Sequence, residues 1–393
     1  MANSEFSIAL PVFKGDNDAA SFVQSEEDGS DPYSIKSMLS RPKGVFPFDE
    51  AAVMKVLPQG SKFLSVESFA KRAHTITGKV MALDPMEGEK HISSRLVAFG
   101  EYGRTMLNGE AESSKIIYEL MPDFIPQPFR FGEYSIASPA TYFYISKSVD
   151  MDITTAPDPV DWGQRLANLH KKSQSSTGKF GFPVITCDGR TAHIVEWEDS
   201  WAQFYRKLFL NVCKLDKEVN ETWPQLDRAV GHVANVIIPR LLGNLCTKEG
   251  KPIKPCIIHG DLWEGNMGIN LETGKYILFD AGSLFAHNEM KLGHWRCEFT
   301  TVFRQKVYWD AYLENYPAAE PAEEFDDRNR LYSLKGAINY SVGHPRSQLR
   351  KTAYNNMLYL IEKYAPIDGL SRYDPEIDPE ITGACLVPHE SET

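Results

Sequence analysis

The chain has 393 residues, a length that predicts two or three domains or one unit of two lobes. Hydrophobic residues make up 42% of it and aromatic residues 11%, which is ample for a large core and excludes a mainly disordered chain. The formal net charge of −11 argues against nucleic acid or an anionic membrane surface as the main partner.

The cellular compartment is predicted from hydropathy and cysteine spacing. No apolar run approaches the roughly 20 residues that span a bilayer. Residues 1–6 lack the basic and apolar regions of a signal peptide. The six cysteines are scattered and include no Cys-x-x-Cys pair, a pattern typical of reduced thiols. We therefore expect a cytoplasmic protein.

The polar segments at the two ends of the chain predict tails. Residues 1–44 carry an acidic patch at 26–31 and are expected to be flexible. Residues 367–393 are rich in Pro, Asp and Glu and are expected to be ordered only in part. Between the tails we predict an α+β fold in two lobes, 45–150 and 151–366.

The first lobe is predicted to be an antiparallel sheet with one helix. Its strands are expected at 62–66, 74–83, 92–98, 129–134 and 141–146. The helix, at about 104–120, has an inward stripe made of Leu107, Glu110, Ser114 and Ile117. A carboxylate on an inward stripe needs a cationic partner or a large pKa shift, so Glu110 is a candidate site residue.

The second lobe is predicted to be mainly helical and follows a connector at 147–156. Its helices are expected at about 161–172, 196–219, 225–242, 295–314, 326–342 and 347–364. Between the third and fourth of these helices, the sequence instead favours strands and a tight turn. This interruption contains the most informative stretch of the chain.

In that stretch, three side chains are spaced for phosphoryl transfer. Asp261 follows a short apolar strand in the run His259-Gly260-Asp261-Leu262-Trp263, and Asn266 and Asp280 come later. A hairpin of 267–270 and 276–279 would bring Asn266 and Asp280 together at its open end. Two oxygen ligands side by side, with a carboxylate just upstream, can hold Mg²⁺ on a nucleotide and accept a proton from a hydroxyl.

Each part of this motif also has a purely structural interpretation. His-Gly-Asp is a turn in most proteins, and an Asp at the end of a strand is often only a cap or a turn former. His259 most simply supports its loop through a backbone hydrogen bond and is not expected to be a general base. The combination of apolar strand, Asp261, Asn266, hairpin and Asp280 is more demanding, and it favours phosphoryl transfer.

With these segments, the chain resembles the fructosamine kinase family, also called ketosamine or ribulosamine 3-kinases, and especially its fungal members. The likeness covers about residues 48–364. Besides the catalytic loop and Phe279-Asp280-Ala281, the segments that match are 166–170, 178–182, 197–201 and 286–289. The resemblance implies the two-lobed protein-kinase-like fold that this family shares with aminoglycoside phosphotransferases.

The resemblance further implies an ATP-dependent phosphotransferase that acts with Mg²⁺ on the 3-hydroxyl of a ketosamine, such as a glycated amine or protein. Asp261, ionised at neutral pH if its pKa is ordinary, would accept the proton of the attacking hydroxyl. Asn266 and Asp280 would bind Mg²⁺, and Asp280 thereby the nucleotide. The candidates for substrate contact flank the predicted metal site and are Trp263, His287 and Glu289.

The residues expected to grip the nucleotide depart from the family pattern. Arg95 is nearest to the position of the lysine that pairs with phosphates and with a helix glutamate, here Glu110. Arginine can pair with both, but its planar fork is aimed differently from an ammonium, and Lys79 is another possible substitute. Alternatively, Arg95 is a solvated residue at a strand edge. The segment 65–73, expected as the phosphate-covering loop, contains no glycine.

A further departure is Lys291, which occupies a position where family members usually have an acidic residue. This departure is expected to affect the choice of substrate more than the catalysis. Two alternatives therefore stay open beside the ketosamine kinase. One is a kinase of the same fold for another hydroxyl metabolite, and the other, suggested by Arg95, is a pseudokinase that binds ligands or partners.

Overall fold

The structure, a computed structural model, describes residues 49–382 apart from 56, 58, 72–74, 85–87, 99, 136–139 and 190. At 68–71, 84 and 88–98 it describes the backbone only. The tail predicted at 1–44 and the last eleven residues of the tail predicted at 367–393 lie outside the described residues.

The first part of the chain forms an antiparallel five-stranded sheet in the order β1-β2-β3-β5-β4. A short helix, α1 (Glu50–Met54), precedes it. The strands are β1 (Lys62–Lys71), β2 (Ile76–Asp84), β3 (Gly88–Ala98), β4 (Pro128–Glu133) and β5 (Thr141–Lys147). Val80 and Ala82 on β2 are both buried because residues two apart share one face of a strand. The sheet predicted from the sequence is confirmed.

Strand β1 is longer than predicted. The sequence indicated a phosphate-covering loop at 65–73, but β1 continues through Lys71, which pairs with Ile76 of β2. Register shifts follow Phe63 and Ser68, where bulges let one strand take extra residues. That loop prediction was therefore wrong for 65–71, while 72 and 73 lie outside the described residues.

One long helix, α2 (Gly100–Leu120), packs against the sheet. It begins four residues earlier than the predicted start at 104. All four members of the predicted inward stripe are buried, which confirms that stripe: Leu107, Glu110, Ser114 and Ile117. The helix therefore holds a carboxylate on the face that is turned away from solvent.

The second part of the chain is mainly helical. Its helices are α3 (Pro159–Lys172), α4 (Trp201–Val219), α5 (Pro224–His232), α6 (Ile238–Leu242), α7 (Met290–Gly293), α8 (Lys306–Asn315), α9 (Phe325–Gly343), α10 (Leu349–Tyr364) and α11 (Pro379–Thr382). Within the described ranges, no helix has both the length and the apolar character needed to cross a bilayer. The helices enclose one large apolar core.

Three of the predicted helices differ from the observed ones. The helix predicted at 196–219 begins only at Trp201, because Ser200 caps it by accepting from the Gln203 amide. The helix predicted at 225–242 is divided by a π-helical turn, Val233–Ile237, because Pro239 has no N–H to donate and its ring crowds the preceding turn. The helix predicted from 295 begins only at Lys306. The backbone amides of Thr301 and Val302 donate to the Glu264 carboxylate, so they cannot close a helical turn.

Three small sheets complete the second part and join distant segments. One has the order β11-β10-β6 and contains β6 (Met151–Asp152), β10 (Met267–Asn270) and β11 (Tyr276–Leu278). The other two pair β9 (Cys256–Ile258) with β12 (Leu284–Ala286), and β7 (Cys187–Asp188) with β8 (Thr191–Ala192). The hairpin predicted from the sequence, β10–β11, is confirmed.

Candidate active site

The loop that carries Asp261 is fixed by its contact with the segment after Asp280. Gly260 adopts a φ of 90°, and a Cβ at this position would lie 1.9 Å from the carbonyl oxygen of Gly282. Only glycine fits such a backbone and such an approach. The Gly282 amide donates to the His259 carbonyl at 3.0 Å. The two chemistry-bearing segments are therefore held side by side.

The β10–β11 hairpin brings Asn266 and Asp280 to its open end, as the spacing predicted. Met267 pairs with Leu278, and the Phe279 amide donates to the Asn266 carbonyl at 3.1 Å. Asp280 has a φ of 61°, a left-handed conformation that is uncommon for a residue with a Cβ and that clusters at functional sites. Asn266 and Asp280, which both carry oxygen atoms that suit a hard metal ion, thus lie at the same open end of the hairpin.

Asp261 is bonded to Asn266. The Asn266 Nδ2 donates to Asp261 Oδ2 at 2.9 Å and to the Asp261 carbonyl at 2.8 Å. Since an ionised carboxylate only accepts, the amide must face Asp261 with its NH₂ group and turn its oxygen the other way. The structure therefore joins the candidate proton acceptor directly to a candidate metal ligand.

The pKa of Asp261 is higher than the ordinary value assumed from the sequence. Burial and, to a smaller extent, the charge of Asp188 raise it to about 6, against the opposite effects of Lys291 and Lys335. The side chain keeps 28% of its surface exposed, so an acceptor can reach it. A group with a pKa near 6 is still about nine-tenths ionised at pH 7. Asp261 thus remains able to accept a proton.

A buried charged cluster beside Asp261 was not found by sequence reasoning. Lys335 Nζ lies 2.7 Å from Asp188 Oδ2 and 3.1 Å from His193 Nε2. His294 reaches from this pair to the catalytic loop, with Nε2 3.7 Å from Asp188 Oδ2 and Nδ1 3.8 Å from Asp261 Oδ1. Although burial alone would raise the pKa of Asp188, Lys335 and His294 hold it below its usual range.

Lys291, noted in the sequence as a departure, belongs to the same cluster. Its side chain is buried, and its Nζ lies 3.4 Å from His294 Nδ1. Burial lowers its pKa to about 7, against the opposing charges of Asp261 and Asp188. The lysine at position 291 could be recognised in the sequence as a departure from the family pattern. The other members lie far apart in the chain and form no motif, so only the fold reveals their proximity.

Among the predicted substrate contacts, only Trp263 has a side chain that is partly exposed near Asp261. His287 is buried, with Nδ1 2.9 Å from Tyr332 Oη. Glu289 is 0% exposed and accepts from Arg328 Nε at 2.7 Å and Nη2 at 3.0 Å. Since burial leaves neither of these two groups accessible, the geometry favours a supporting role for both.

His259 supports the loop, as its structural interpretation predicted. The ring is fully buried, and Nε2 lies 3.0 Å from the Phe279 carbonyl oxygen, to which it donates. Burial lowers the pKa of His259 to about 3. A neutral, enclosed imidazole that is bonded to the backbone fixes the loop and does not accept protons from a substrate.

A cavity of about 610 Å³ lies between the sheet and the helical part. Its described lining includes Lys79, Glu110, Phe279 and the connector between β5 and β6. The Lys79 Nζ also lies 3.3 Å from Asp150 Oδ1. A larger cavity of about 820 Å³ adjoins the same connector, but none of the predicted site residues is among its described lining residues. The smaller cavity, which reaches the residue before Asp280, is therefore the candidate nucleotide cleft.

The structure describes the backbone of Arg95 but not its side chain. On the sheet, Arg95 pairs with Thr77 on one side and with Tyr144 on the other. Both of these neighbours line the candidate nucleotide cleft, as does Glu110. The register position of Arg95 is thus in the row of residues next to the cleft.

In the part of the chain that the structure describes, no three His, Cys, Asp or Glu side chains converge to hold a metal ion. A metal at the open end of the hairpin therefore needs ligands besides these four side-chain types. Asn266 and Asp280 provide an amide oxygen and a carboxylate, the hard donors that suit Mg²⁺ when phosphate oxygens and water complete its shell. The donor set fits a nucleotide-bound Mg²⁺ better than a metal held by the protein alone.

Comparison with known proteins gives a family match for most of the chain. Residues 98–355 match the family model described as fructosamine kinase. The chain is 28% identical over 247 residues to the chloroplastic protein-ribulosamine 3-kinase of Oryza sativa subsp. indica, a match that covers 61% of this chain and 65% of that protein. The chain thus spans slightly less than two thirds of the length of this relative.

Solved structures share the fold. A crystal structure from Thermobifida fusca YX-ER1, assigned as a fructosamine-3-kinase, has a TM-score of 0.61 at 19% identity and covers 80% of this chain and 99% of its own. The aminoglycoside phosphotransferase APH(4)-Ia, crystallised with AMP-PNP and hygromycin B, has a TM-score of 0.50 at 12% identity and covers 78% of this chain and 95% of its own. This likeness confirms the predicted α+β protein-kinase-like fold.

Proposed function

Because the chain belongs to the fructosamine kinase family, we propose that it is an ATP-dependent kinase that phosphorylates the 3-hydroxyl of a ketosamine. The observation that carries this proposal is the contact of Asp261 with Asn266, beside Asp280 at the open end of the hairpin. The family match supports the choice of a ketosamine. The partial exposure of Asp261 supports its role as the group that meets the acceptor.

In the proposed mechanism, Asp261 orients the acceptor hydroxyl and takes its proton as the new O–P bond forms, while the bond from the γ-phosphorus of ATP to its bridging oxygen breaks and ADP leaves. The Asn266 amide, which donates to Oδ2, keeps that oxygen in place. The second carboxylate oxygen, Oδ1, then remains for the acceptor. Phosphoryl transfer depends mainly on positioning and on charge neutralisation, so a base fixed in this way suits the acceptor side of the reaction.

The nucleotide half of the site is proposed from the cleft. Asn266 and Asp280 would hold Mg²⁺, which neutralises phosphate charge when it is bound. Arg95 would pair with the phosphates and with Glu110, a proposal supported by its register between two residues that line the cleft. Lys79, which lines the same cleft, is the alternative cation.

The proposal is tested by measuring product formation with MgATP against a panel of fructosyl- and ribulosyl-amines. We expect turnover, and we expect Asp261→Asn to lower kcat by about 10²- to 10⁴-fold, the usual contribution of a positioned base. Nucleotide binding should persist in that variant. Asp310→Asn removes a carboxylate from an exposed pair with Lys306 and is the matched control, with unchanged turnover.

Two other results would contradict the proposal. Binding of nucleotide that depends on Mg²⁺, with no ketosamine turned over, would favour a different hydroxyl acceptor. Absence of nucleotide binding would exclude both kinase functions and favour the pseudokinase. Arg95→Lys separates the two possibilities for Arg95. If Arg95 replaces a phosphate-binding lysine, this change should tighten nucleotide binding, whereas a solvated edge residue should show no effect.

A kinase for another hydroxyl metabolite is the second candidate function, and Lys291 is the observation that favours it. Its buried ammonium faces a cluster with Asp188, His294 and Lys335 beside Asp261. That cluster gives the acceptor side of the site an unusual charge pattern. We further propose a glycated amine or protein as the partner, a cytoplasmic location and a place among the fungal members of the family, all of which rest on the sequence.

A further inference from the structure

The described end of the chain, 367–382, is a C-terminal segment that packs along α10. Asn355 and Asp374 exchange two hydrogen bonds of 2.9 Å, from Asn355 Nδ2 to the Asp374 carbonyl and from the Asp374 amide to Asn355 Oδ1. The Tyr373 amide donates to Glu362 Oε1 at 2.8 Å. The segment is therefore fixed on α10 through its own backbone groups.

Two carboxylates of the C-terminal segment reach buried arginines. Asp378, whose side chain is 1% exposed, accepts from Arg330 Nη1 at 2.7 Å. Asp378 Oδ1 also accepts from the Glu380 amide at 3.0 Å, at the start of α11. The Glu380 side chain in turn accepts from Arg296 Nη2. Asp378 thus orients the backbone of the residue that binds Arg296.

Arg296 is held between α9 and the C-terminal segment. Its side chain is 2% exposed. Its Nη1 donates to Asp326 Oδ1 at 2.8 Å and to Asn329 Oδ1 at 3.3 Å, both on α9. Its Nη2 donates to Glu380 of the C-terminal segment. Because the planar guanidinium presents its donors in fixed directions, its position depends on partners on both sides.

Arg296 ends a one-turn 3₁₀ helix, His294–Arg296, which we call the support turn. Its middle residue, Trp295, is fully buried, and the indole Nε1 donates to the Leu262 carbonyl at 3.2 Å. Its first residue, His294, has Nδ1 3.8 Å from Asp261 Oδ1. Two side chains of the support turn therefore lie against the loop that carries the proposed base.

The position of the support turn depends on its side chains. A short 3₁₀ turn closes with an i→i+3 hydrogen bond, here from the Cys297 amide to the His294 carbonyl at 3.0 Å. Trp295 stacks on Phe303 inside the helical core, with ring centroids 4.9 Å apart. Arg296 fixes the end of the turn. The core and the C-terminal segment thus hold the support turn between them.

On the basis of the proposed function, we propose that Arg296 is a positioning residue for the loop that carries Asp261, and that Glu380 of the C-terminal segment completes its hold on that loop. The support turn and the loop lie within 98–355, the part of the chain that matches the family model, whereas the C-terminal segment lies beyond it. Arg296 acts through its two neighbours in the support turn. The C-terminal segment therefore contributes to the placement of the base.

Glu380→Ala tests this proposal, because the Glu380 side chain is 33% exposed and its truncation disturbs the core little. We expect kcat with MgATP and a fructosyl-amine to fall by about tenfold, less than the ~10²-fold that a displacement of about 1 Å can cost. KM for ATP should stay unchanged, since the nucleotide cleft is not displaced. Glu380→Gln keeps an oxygen that accepts from Arg296 and should recover most of the lost kcat.

Asp227→Ala is the matched control. Asp227 pairs with Lys217 at 2.7 Å, and its side chain is also 33% exposed, but this pair joins α5 to α4. The variant should keep the kcat of the wild type. An equal fall in kcat for Asp227→Ala and Glu380→Ala, or an unchanged kcat in both, would overturn the proposal.

A double-mutant cycle shows whether Glu380 acts through Arg296. A lysine lacks the fork that reaches α9 and Glu380 together, so Arg296→Lys should lower kcat by itself. Adding Glu380→Ala should then cause little further loss, because the same contact has already been broken. Fully additive losses would mean that Glu380 acts by another route and would contradict the proposal.

Hydrogen exchange separates the failure of this proposal from the failure of the proposed function, because it needs no turnover. By mass spectrometry, the peptide that covers 259–266 should exchange faster in Glu380→Ala than in the wild type and in Asp227→Ala, with the five-stranded sheet unchanged. If no ketosamine is phosphorylated but this exchange still rises, the kinase proposal fails and the positioning role stands. Exchange at 259–266 that is unchanged, or that rises equally throughout the protein, would overturn the positioning role.

Discussion

Asp261 depends on neighbours that are far from it in the sequence. Asn266 is five residues away and could be assigned from the motif. His294, which lies beside Asp261, and the Asp188–Lys335 pair behind it come from three other segments. The motif therefore predicted the candidate reactive residues. It could not predict the environment that raises the pKa of Asp261 to about 6, which is burial first and the charge of Asp188 second, because Asp188 meets its partner Lys335 only when α9 packs beside the β7–β8 hairpin.

At the scale of single residues, the Lys335–Asp188 pair gives a stability prediction. Lys335→Met should lower the free energy of unfolding by about 3–5 kcal/mol because it leaves the buried Asp188 carboxylate without its cation. Adding Asp188→Asn should recover much of this loss, since the unpaired charge is then removed. Urea denaturation curves of the single and double variants measure both effects.

Lys306→Met is the control for this pair. Lys306 also binds an aspartate, Asp310, but their side chains are 82% and 51% exposed. Exposed pairs contribute roughly 0–1 kcal/mol, so this variant should unfold almost like the wild type. A double variant that is no more stable than Lys335→Met would show that the packing of the lysine chain matters and that the charge balance does not.

At the scale of elements, the interior of the fold was predictable where one periodicity persists over a long segment. The sheet, α2 and the β10–β11 hairpin follow directly from such patterns. The π-helical turn before Pro239 and the late start of α8 do not. Each depends on where particular backbone amides find partners, and for α8 the partner is Glu264, from another segment.

Helix α2 gives an element-scale prediction through Gly109. A Cβ at this position would lie 2.7 Å from the carbonyl oxygen of Ile185. Gly109→Ala should therefore destabilise the protein by about 1–3 kcal/mol, as overpacking does, although alanine is the better helix former. The same strain should push Glu110 out of place and raise the KM for ATP. Urea denaturation and steady-state kinetics measure the two effects.

Gly231→Ala is the matched control in α5, because no heavy atom lies within 4 Å of a Cβ built there. This change should increase stability by about 0.5–1 kcal/mol, the usual gain when a helical glycine becomes alanine. If Gly109→Ala stabilises the protein as Gly231→Ala does, the backbone at Ile185 must move away from α2 at little energetic cost. The position of Glu110 would then not depend on this contact.

At the scale of the whole molecule, we propose a boundary between the lobes near residue 150 and a second boundary near 366. The described residues beyond α10 return to the helical part. Asp378 is buried and accepts from Arg330 Nη1 at 2.7 Å. Glu380 pairs with Arg296. The polar composition of 367–393 predicted only partial order. It could not reveal these ion pairs, because the partners of the two carboxylates are buried arginines on distant elements.

Truncation after residue 366 tests how much this C-terminal segment stabilises the fold. We expect a loss of about 1.5–3 kcal/mol, since truncation removes Asp378, the charged hydrogen-bond partner of Arg330. The free energy of unfolding in urea measures it. Truncation after residue 382 keeps every one of these contacts and is the control. Equal stability of the two truncated proteins would mean that the segment contributes nothing to the fold.

Helix α2 is bonded to the segment that follows Asp280 as well as packed under the sheet. The Ser283 amide donates to Ser113 Oγ at 3.0 Å, and that hydroxyl donates in turn to the Gly109 carbonyl at 2.7 Å. The helix is thus anchored to the segment that follows Asp280. Since Glu110 lies on the same helix, its position is tied to the segment that follows Asp280 as well as to the sheet.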